Sequence, residues 1–219
     1  MNAVTVVEAS AVRNTITQAA LNAILVGDPL GGGFYAGQIR QADGIYALIV
    51  APKDGGEHDD VVWSSDRSRV EGALSYFDGA ANTAAMAEAG SDLAKWALGL
   101  QINGYHDWHL PARDEAEIIY RNLKPTDEDN YVYRSGDNPS SVPVGYPYTA
   151  TSPTKTAAAA FQSGGAEALD DESYYWTSTQ YAGYSDNAWI QYFDGGGQGS
   201  DLKVYEFRAR AVRRLLVIQ

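Results

Sequence analysis

The chain has no cysteine among its 219 residues. That excludes disulfides, thiol catalysis and cysteine-ligated zinc. Histidine is nearly as scarce, with three residues, so a histidine-rich metal centre is short of ligands. Positive charge is thin too: 16 basic residues face 28 acidic ones, for a net charge of -12. Nucleic-acid binding rests on neutralising phosphates, and this balance argues against it and against an anionic membrane surface. No apolar run is long enough to cross a bilayer, so no membrane insertion is expected. The start, MNAVTVVEASAVRNTITQAALNAILVG, lacks the basic opening and long apolar stretch of a signal peptide. A nucleophile elbow, a phosphate loop and a dinucleotide fingerprint are missing as well.

What remains is enough for a core. Hydrophobic residues make up 45% of the chain, which suits one domain of ordinary size. Residues 1–27 differ from the rest in having no aromatic side chain, and form an expected N-terminal attachment or oligomerisation segment ahead of a domain at 28–219. Val12, Ile16, Ala19, Ala20 and Ala23 fall at helical spacing there. FYAGQIRQADGIYALIVAPK predicts a hairpin turning at Asp43-Gly44. DGGEHDD, at 54–60, is an expected acidic loop. Asn82 and Ser91 are candidate caps of two helical stretches, TAAMAEA and DLAKWALGL. A further helix follows in ARDEAEIIYRNL, with Asp114, Glu115 and Glu117 in its first turns. Residues 124–173 hold five of the eight prolines and read as a long ordered loop region. YYWTSTQ, NAWIQYFD and FRARAVRRLLVIQ then predict short strands. The layout is α+β.

Chemistry-bearing clusters are few. His106 and His109 lie in a turn rather than on a helix face, and His58 is remote, so no metal site is expected from them. The acidic runs at 57–60 and 126–130, and the pair Asp194 and Asp201, read as solvated loops; calcium, which takes such oxygen ligands, is the alternative for each. Paired carboxylates for glycosidic cleavage are not singled out by any spacing.

The unusual stretch is YYWTSTQYAGYSDNAWIQYFDGGGQGSD, at 174–201, where rings and glycines crowd together almost without aliphatic side chains. Taken in order, DWHLP, YWTST, NAWIQYF and RAVRR resemble the DUF1566 family over about residues 34–216. That resemblance implies a C-type-lectin-like fold, similar to formylglycine-generating enzyme, with two helices, short antiparallel strands and long ordered loops. Enzymes of that wider fold work through cysteines, so their activity is not expected here.

The resemblance also implies a function. Such domains are frequent in phage tail proteins and bacterial adhesins. The expectation is a non-enzymatic, receptor-binding tail protein that engages a host-surface glycan or protein, with no cofactor. It would reach the virion after cytoplasmic synthesis, contact other tail proteins through its N-terminal segment and form a homotrimer. A carbohydrate-active or metal-dependent enzyme and a purely structural virion module are the alternatives. Strand alternation places Trp189, Gln191 and Phe193 on one face, which the family pattern makes inward, and Ile190, Tyr192 and Asp194 on the other. The expected ligand surface is Tyr181, Tyr184, Ser185, Asp186, Ile190, Tyr192, Asp194, Gln198, Ser200, Asp201 and Lys203. Tyrosine gives such a surface rigid contact area with a polar tip. Trp108, Trp176, Trp189, Gln191, Phe193, Arg208, Arg210 and Arg213 are expected to be structural, the arginines by stapling loops through carboxylates.

Overall fold

The computed structural model describes residues 14–132 and 136–219. The predicted hairpin is there: β3 (Gly33–Gln41) and β4 (Gly44–Val50) pair antiparallel, and Gln41 lies opposite Gly44 across the turn. Tyr46 donates to the Asp43 carboxylate at 2.9 Å and braces that turn. β11 (Val212–Ile218) adds antiparallel to β4, and β1 (Thr15–Thr17) adds parallel to β11. β2 (Pro29–Leu30) and β6 (Ser141–Val142) both pair with β3, completing a six-stranded sheet.

The N-terminal segment therefore does not stand apart over its described part. Residues 1–13, Val12 among them, lie outside the described residues. Ile16, expected on a helix, sits in β1 instead; two flanking threonines make that tripeptide β-branched throughout, which favours a strand. The chain turns helical only in α1 (Gln18–Leu21), whose Leu21 is buried against Ile49 and Trp108.

The second sheet has the order β5-β10-β7-β8-β9. Its strands are β5 (Glu57–Val62), β7 (Tyr174–Gln180), β8 (Asn187–Tyr192), β9 (Gln198–Leu202) and β10 (Glu206–Arg210). The expected acidic loop at 54–60 is thus half strand. α2 (Lys53–Gly56) is a single broken turn, with Gly55 at φ 79°, and β5 starts directly after it. The reason is the neighbour: β10 brings Arg208 and Arg210 alongside Glu57 and Asp59, so the charges pair across strands instead of repelling along one.

Both faces of the second sheet are covered. Trp176 and Ile190 pack with Met86 of α3 (Gly79–Glu88) and Leu93 of α4 (Asp92–Gly99). Tyr175 and Phe193 pack with Ile119 and Tyr120 of α5 (Arg113–Leu123). Ser91 caps α4 as expected, accepting from the Ala94 N–H at 3.3 Å. Asn82 does not cap α3; Asp78 does. Asn82 is buried within that helix and holds Ser75, accepting its N–H and donating to its carbonyl. The acids of α5 are buried rather than solvated. Glu117 accepts from Arg121, Asn138 and Tyr148, each at 2.6 Å. Glu115 accepts from the Ala112 N–H at 2.7 Å.

The mixture of rings and glycines at 174–201 is explained by contact. Gly196 has φ 76°, and the Tyr120 ring occupies the space any side chain there would need. Gly195 and Gly197 lie against Tyr131 in the same way. The glycines let neighbouring rings reach the backbone.

Arg210 is 2% exposed and pairs with Glu57 at 2.9 Å and Glu167 at 2.8 Å, whereas Arg208, on the same edge, is 23% exposed. Arg210→Ala is expected to cost about 3–5 kcal/mol because it strands buried carboxylates. Arg208→Ala is expected to cost about 1 kcal/mol. Urea unfolding of the two variants tests the ordering; equal losses would contradict it.

Candidate functional site

The expected ligand residues divide into three groups. Two are in the core. Ile190 is 1% exposed, because the face of β8 expected to be outward is covered by Trp176 and α4. Lys203 is 0% exposed: its ammonium lies over the Trp63 ring and donates to the Ser68 carbonyl at 2.8 Å and Gln180 Oε1 at 2.7 Å. Burial lowers its pKa to about 8. Neither side chain is a surface contact.

Tyr192, Asp194 and Asp201 form the second group. The Tyr192 ring meets Tyr174 at 4.3 Å, and Asp194 accepts from the Tyr131 hydroxyl at 3.2 Å. Asp201 Oδ1 accepts from the Leu202 N–H at 2.8 Å, within β9.

The third group has one member, Tyr181, in the wall of a cleft that the sequence did not single out. Tyr181 and Trp189 line it together with Tyr76, Arg113 and Asp137, around a cavity of about 430 Å³. Tyr184 is exposed and stacks on Tyr181 at 5.9 Å; Ser185 is exposed beside it. Asp186 uses its carbonyl to hold the Lys203 N–H at 2.9 Å. Ser200 pairs directly across from Trp189. Gln198 bridges, donating to the Arg113 carbonyl at 2.8 Å and to Gln191 at 2.9 Å.

The walls are fixed from the backbone outward. The Arg113 N–H donates to Thr179 Oγ1 at 3.0 Å, and its carbonyl is held by Gln198, so α5 begins against the second sheet. The next N–H, of Asp114, donates to the Tyr76 carbonyl at 2.7 Å. The Arg113 guanidinium then lies between two rings, 4.8 Å from Tyr76 and 4.5 Å from Trp189. Tyr181 meets Trp189 edge-on at 5.3 Å.

Two donors in this cleft are buried without an acceptor: Trp189 Nε1 and Arg113 Nε. Trp189 is 6% exposed, and no protein group accepts from its indole N–H among the described residues. A buried unmade hydrogen bond costs about 1–3 kcal/mol, so an external acceptor that reached either donor would be favoured. A larger cavity, about 590 Å³, lies beneath the loops around Val142–Tyr146 and Ser152–Ala157. Arg121 there also has two unpartnered buried nitrogens, Nε and Nη1, but Glu117 neutralises its charge at 2.6 Å, whereas no described carboxylate pairs with Arg113.

The structural set behaves as a frame. Trp108 and Trp176 are fully buried, and Trp176 Nε1 donates to the Val61 carbonyl at 2.8 Å. Gln191 and Phe193 are buried on the α5 side. Trp189 shares that burial and also forms the floor of the cleft. His109 is buried with its ring 3.5 Å from Glu115, while His58 stacks edge-on with Trp96. Among the described residues no three of His, Asp and Glu are grouped to hold a metal ion.

One signal for the cleft was present in the sequence. Arg113 is the first residue of α5, where the helix dipole opposes a cation, and acids follow it directly. Tyr76 and Asp137 lie in irregular segments and carry no such mark.

With this geometry in place, the match to known families can be placed on it. The model of the Lcl C-terminal domain family, which is related to DUF1566, matches residues 56–213, and the chain belongs to that family. No curated protein matches the chain. The matched range contains the cleft and the arginines Arg208, Arg210 and Arg213; the β3–β4 hairpin precedes it.

Asp114 links the cleft to pH. Burial raises its pKa from 3.8 to about 6, against the lowering effects of the Ser140 hydroxyl and the Arg113 charge. The folded state therefore holds this proton more tightly than the unfolded chain. Stability through this group falls as pH rises from about 4 to about 6 and is flat above that. Asp114→Asn removes the fall, so the variant gains on the wild type between pH 4 and pH 7. A stability difference independent of pH in chemical denaturation would contradict the assignment.

Proposed function

We propose that this member of the Lcl C-terminal domain family is a non-catalytic receptor-binding domain of C-type-lectin-like architecture. Its setting is a phage or prophage tail, and its target is a glycan on the host surface. The observation that carries this reading is the Tyr76–Arg113–Tyr181–Trp189 cleft, with its two buried, unpartnered N–H donors. Rings stack on the faces of pyranoses, indole and guanidinium N–H groups supply hydrogen bonds to sugar oxygens, and Asp137 accepts from hydroxyls. Tyr184 and Ser185 extend the contact from an adaptable loop.

The ordered series of motifs resembling tail and adhesin domains supports the setting. A non-catalytic role agrees with the carboxylates. Two acids must flank a bond for glycosidic cleavage, and among the described residues Asp137 alone lines this cleft. A single shallow site binds weakly, and trimerisation would supply the avidity a tail needs.

Tyr76→Ala/Tyr181→Ala is expected to lower binding of the purified protein to intact host cells by about tenfold or more. Both side chains are partly exposed, so the fold should survive, as circular dichroism can check. Tyr174→Ala/Tyr205→Ala, whose rings both pack edge-on against Phe207 away from the cleft, should bind as the wild type does. The reverse pattern would move the receptor site to the Tyr174 side.

A further inference from the structure

Five described arginines with partly or fully buried side chains have a carboxylate within ion-pair distance. Arg121 meets Glu117 at 2.6 Å and Arg208 meets Asp170 at 3.1 Å. Arg210 meets Glu167 at 2.8 Å, Arg213 meets Asp107 at 2.7 Å and Arg214 meets Asp78 at 3.0 Å. Arg113 breaks this pattern. It is half-buried, and among the described residues its guanidinium makes neither a hydrogen bond nor an ion pair. Its partners are two ring faces. Aromatic faces hold a cation without cancelling its charge.

The nearby acids are engaged elsewhere. The Asp114 carboxyl receives the Ser140 hydroxyl at 2.6 Å. Glu115 serves the Ala112 N–H and lies 3.6 Å from Arg214. Asp137 lines the cleft but is exposed and forms no ion pair with Arg113. Among the described residues, Arg113 thus faces the cleft with no carboxylate at ion-pair distance, in a chain whose net charge is -12. Leaving a partly desolvated charge uncompensated is costly, and an incoming anion would recover that cost.

We infer that the cleft takes an acidic sugar, whose single carboxylate pairs with the Arg113 guanidinium and accepts from Trp189 Nε1 while its ring rests on Tyr181. This rests on the receptor-binding reading and adds the ligand's charge to it. The planar fork of arginine matches a carboxylate's two oxygens. Asp137 at the rim accepts from the sugar's hydroxyl or amide groups. Asp137 and the acidic surface repel a densely sulfated chain, so one carboxylate on an otherwise neutral sugar is the fit.

The test uses the full chain labelled with nitrogen-15 and follows two resonances, the Trp189 indole N–H and the Arg113 Nε–H. The probes are the methyl glycoside of N-acetylneuraminic acid with its methyl ester, and methyl glucuronide with methyl glucoside. At least one acid should shift both resonances and bind about tenfold or more tightly than its neutral counterpart. In Arg113→Gln that preference should vanish while the neutral probe still moves Trp189. Equal binding of acid and neutral probe by the wild type overturns the inference and leaves the receptor-binding reading standing. Failure of every probe to move Trp189 at millimolar concentration overturns both.

Discussion

Two guanidinium groups cut off from water, those of Arg210 and Arg213, connect the sheets to the loops that surround them. Arg210 ties the end of β10 to Glu57 on β5, to the Ala51 carbonyl and to Glu167 in the long loop region. Arg213, at the start of β11, ties the Asp107 turn to the Gly31 carbonyl and reaches Asn14 near the N-terminus. One short segment of chain therefore fixes parts separated by most of the sequence. A loop-rich domain without disulfides needs such cross-links, since its irregular segments bury little apolar surface of their own. Buried ion pairs add modest net stability when complete, but losing one partner is expensive, so they specify a single arrangement strongly.

That rigidity bears on the candidate site. The cleft is built where α5, the 73–78 segment and the second sheet meet, and its residues are held mainly by backbone groups. Thr179 and Gln198 grip the main chain of Arg113, and Asp114 grips that of Tyr76. The side chains are free to present rings and donors because their own backbones are fixed. Trp189 is both core and floor: its ring packs inward with the sheet while its indole N–H faces a place without an acceptor. A preorganised wall of this kind loses little conformational entropy on binding.

Much of this was legible in the residues. The Asp43-Gly44 turn, the Ser91 cap and the helical stretch ARDEAEIIYRNL are local signals, and local geometry obeys them. The arginine alternation near the C-terminus pointed to loop stapling, and the carboxylates sit where such staples need them. The failures share a different cause. β5 looked like an acidic loop because its counter-charges lie about 150 residues away on β10, as the Arg208–Asp59 pair shows. Ile190 looked exposed because strand alternation reports two faces but not whether both are covered. Lys203 looked like a surface cation, and only the placement of Trp63 and Gln180 shows that it is caged. Tyr76, Arg113 and Asp137 converge through tertiary contacts that no spacing in the chain records.

The central claim is that the Trp189 cleft, and not the Tyr174 and Tyr192 side of the same sheet, meets the ligand. Hydrogen–deuterium exchange with and without purified host surface polysaccharide tests it without choosing residues in advance. The account predicts added protection in the peptides covering Tyr76, Arg113 and Tyr181–Trp189. Protection confined to Tyr131, Tyr174 and Tyr192–Tyr205 would contradict it.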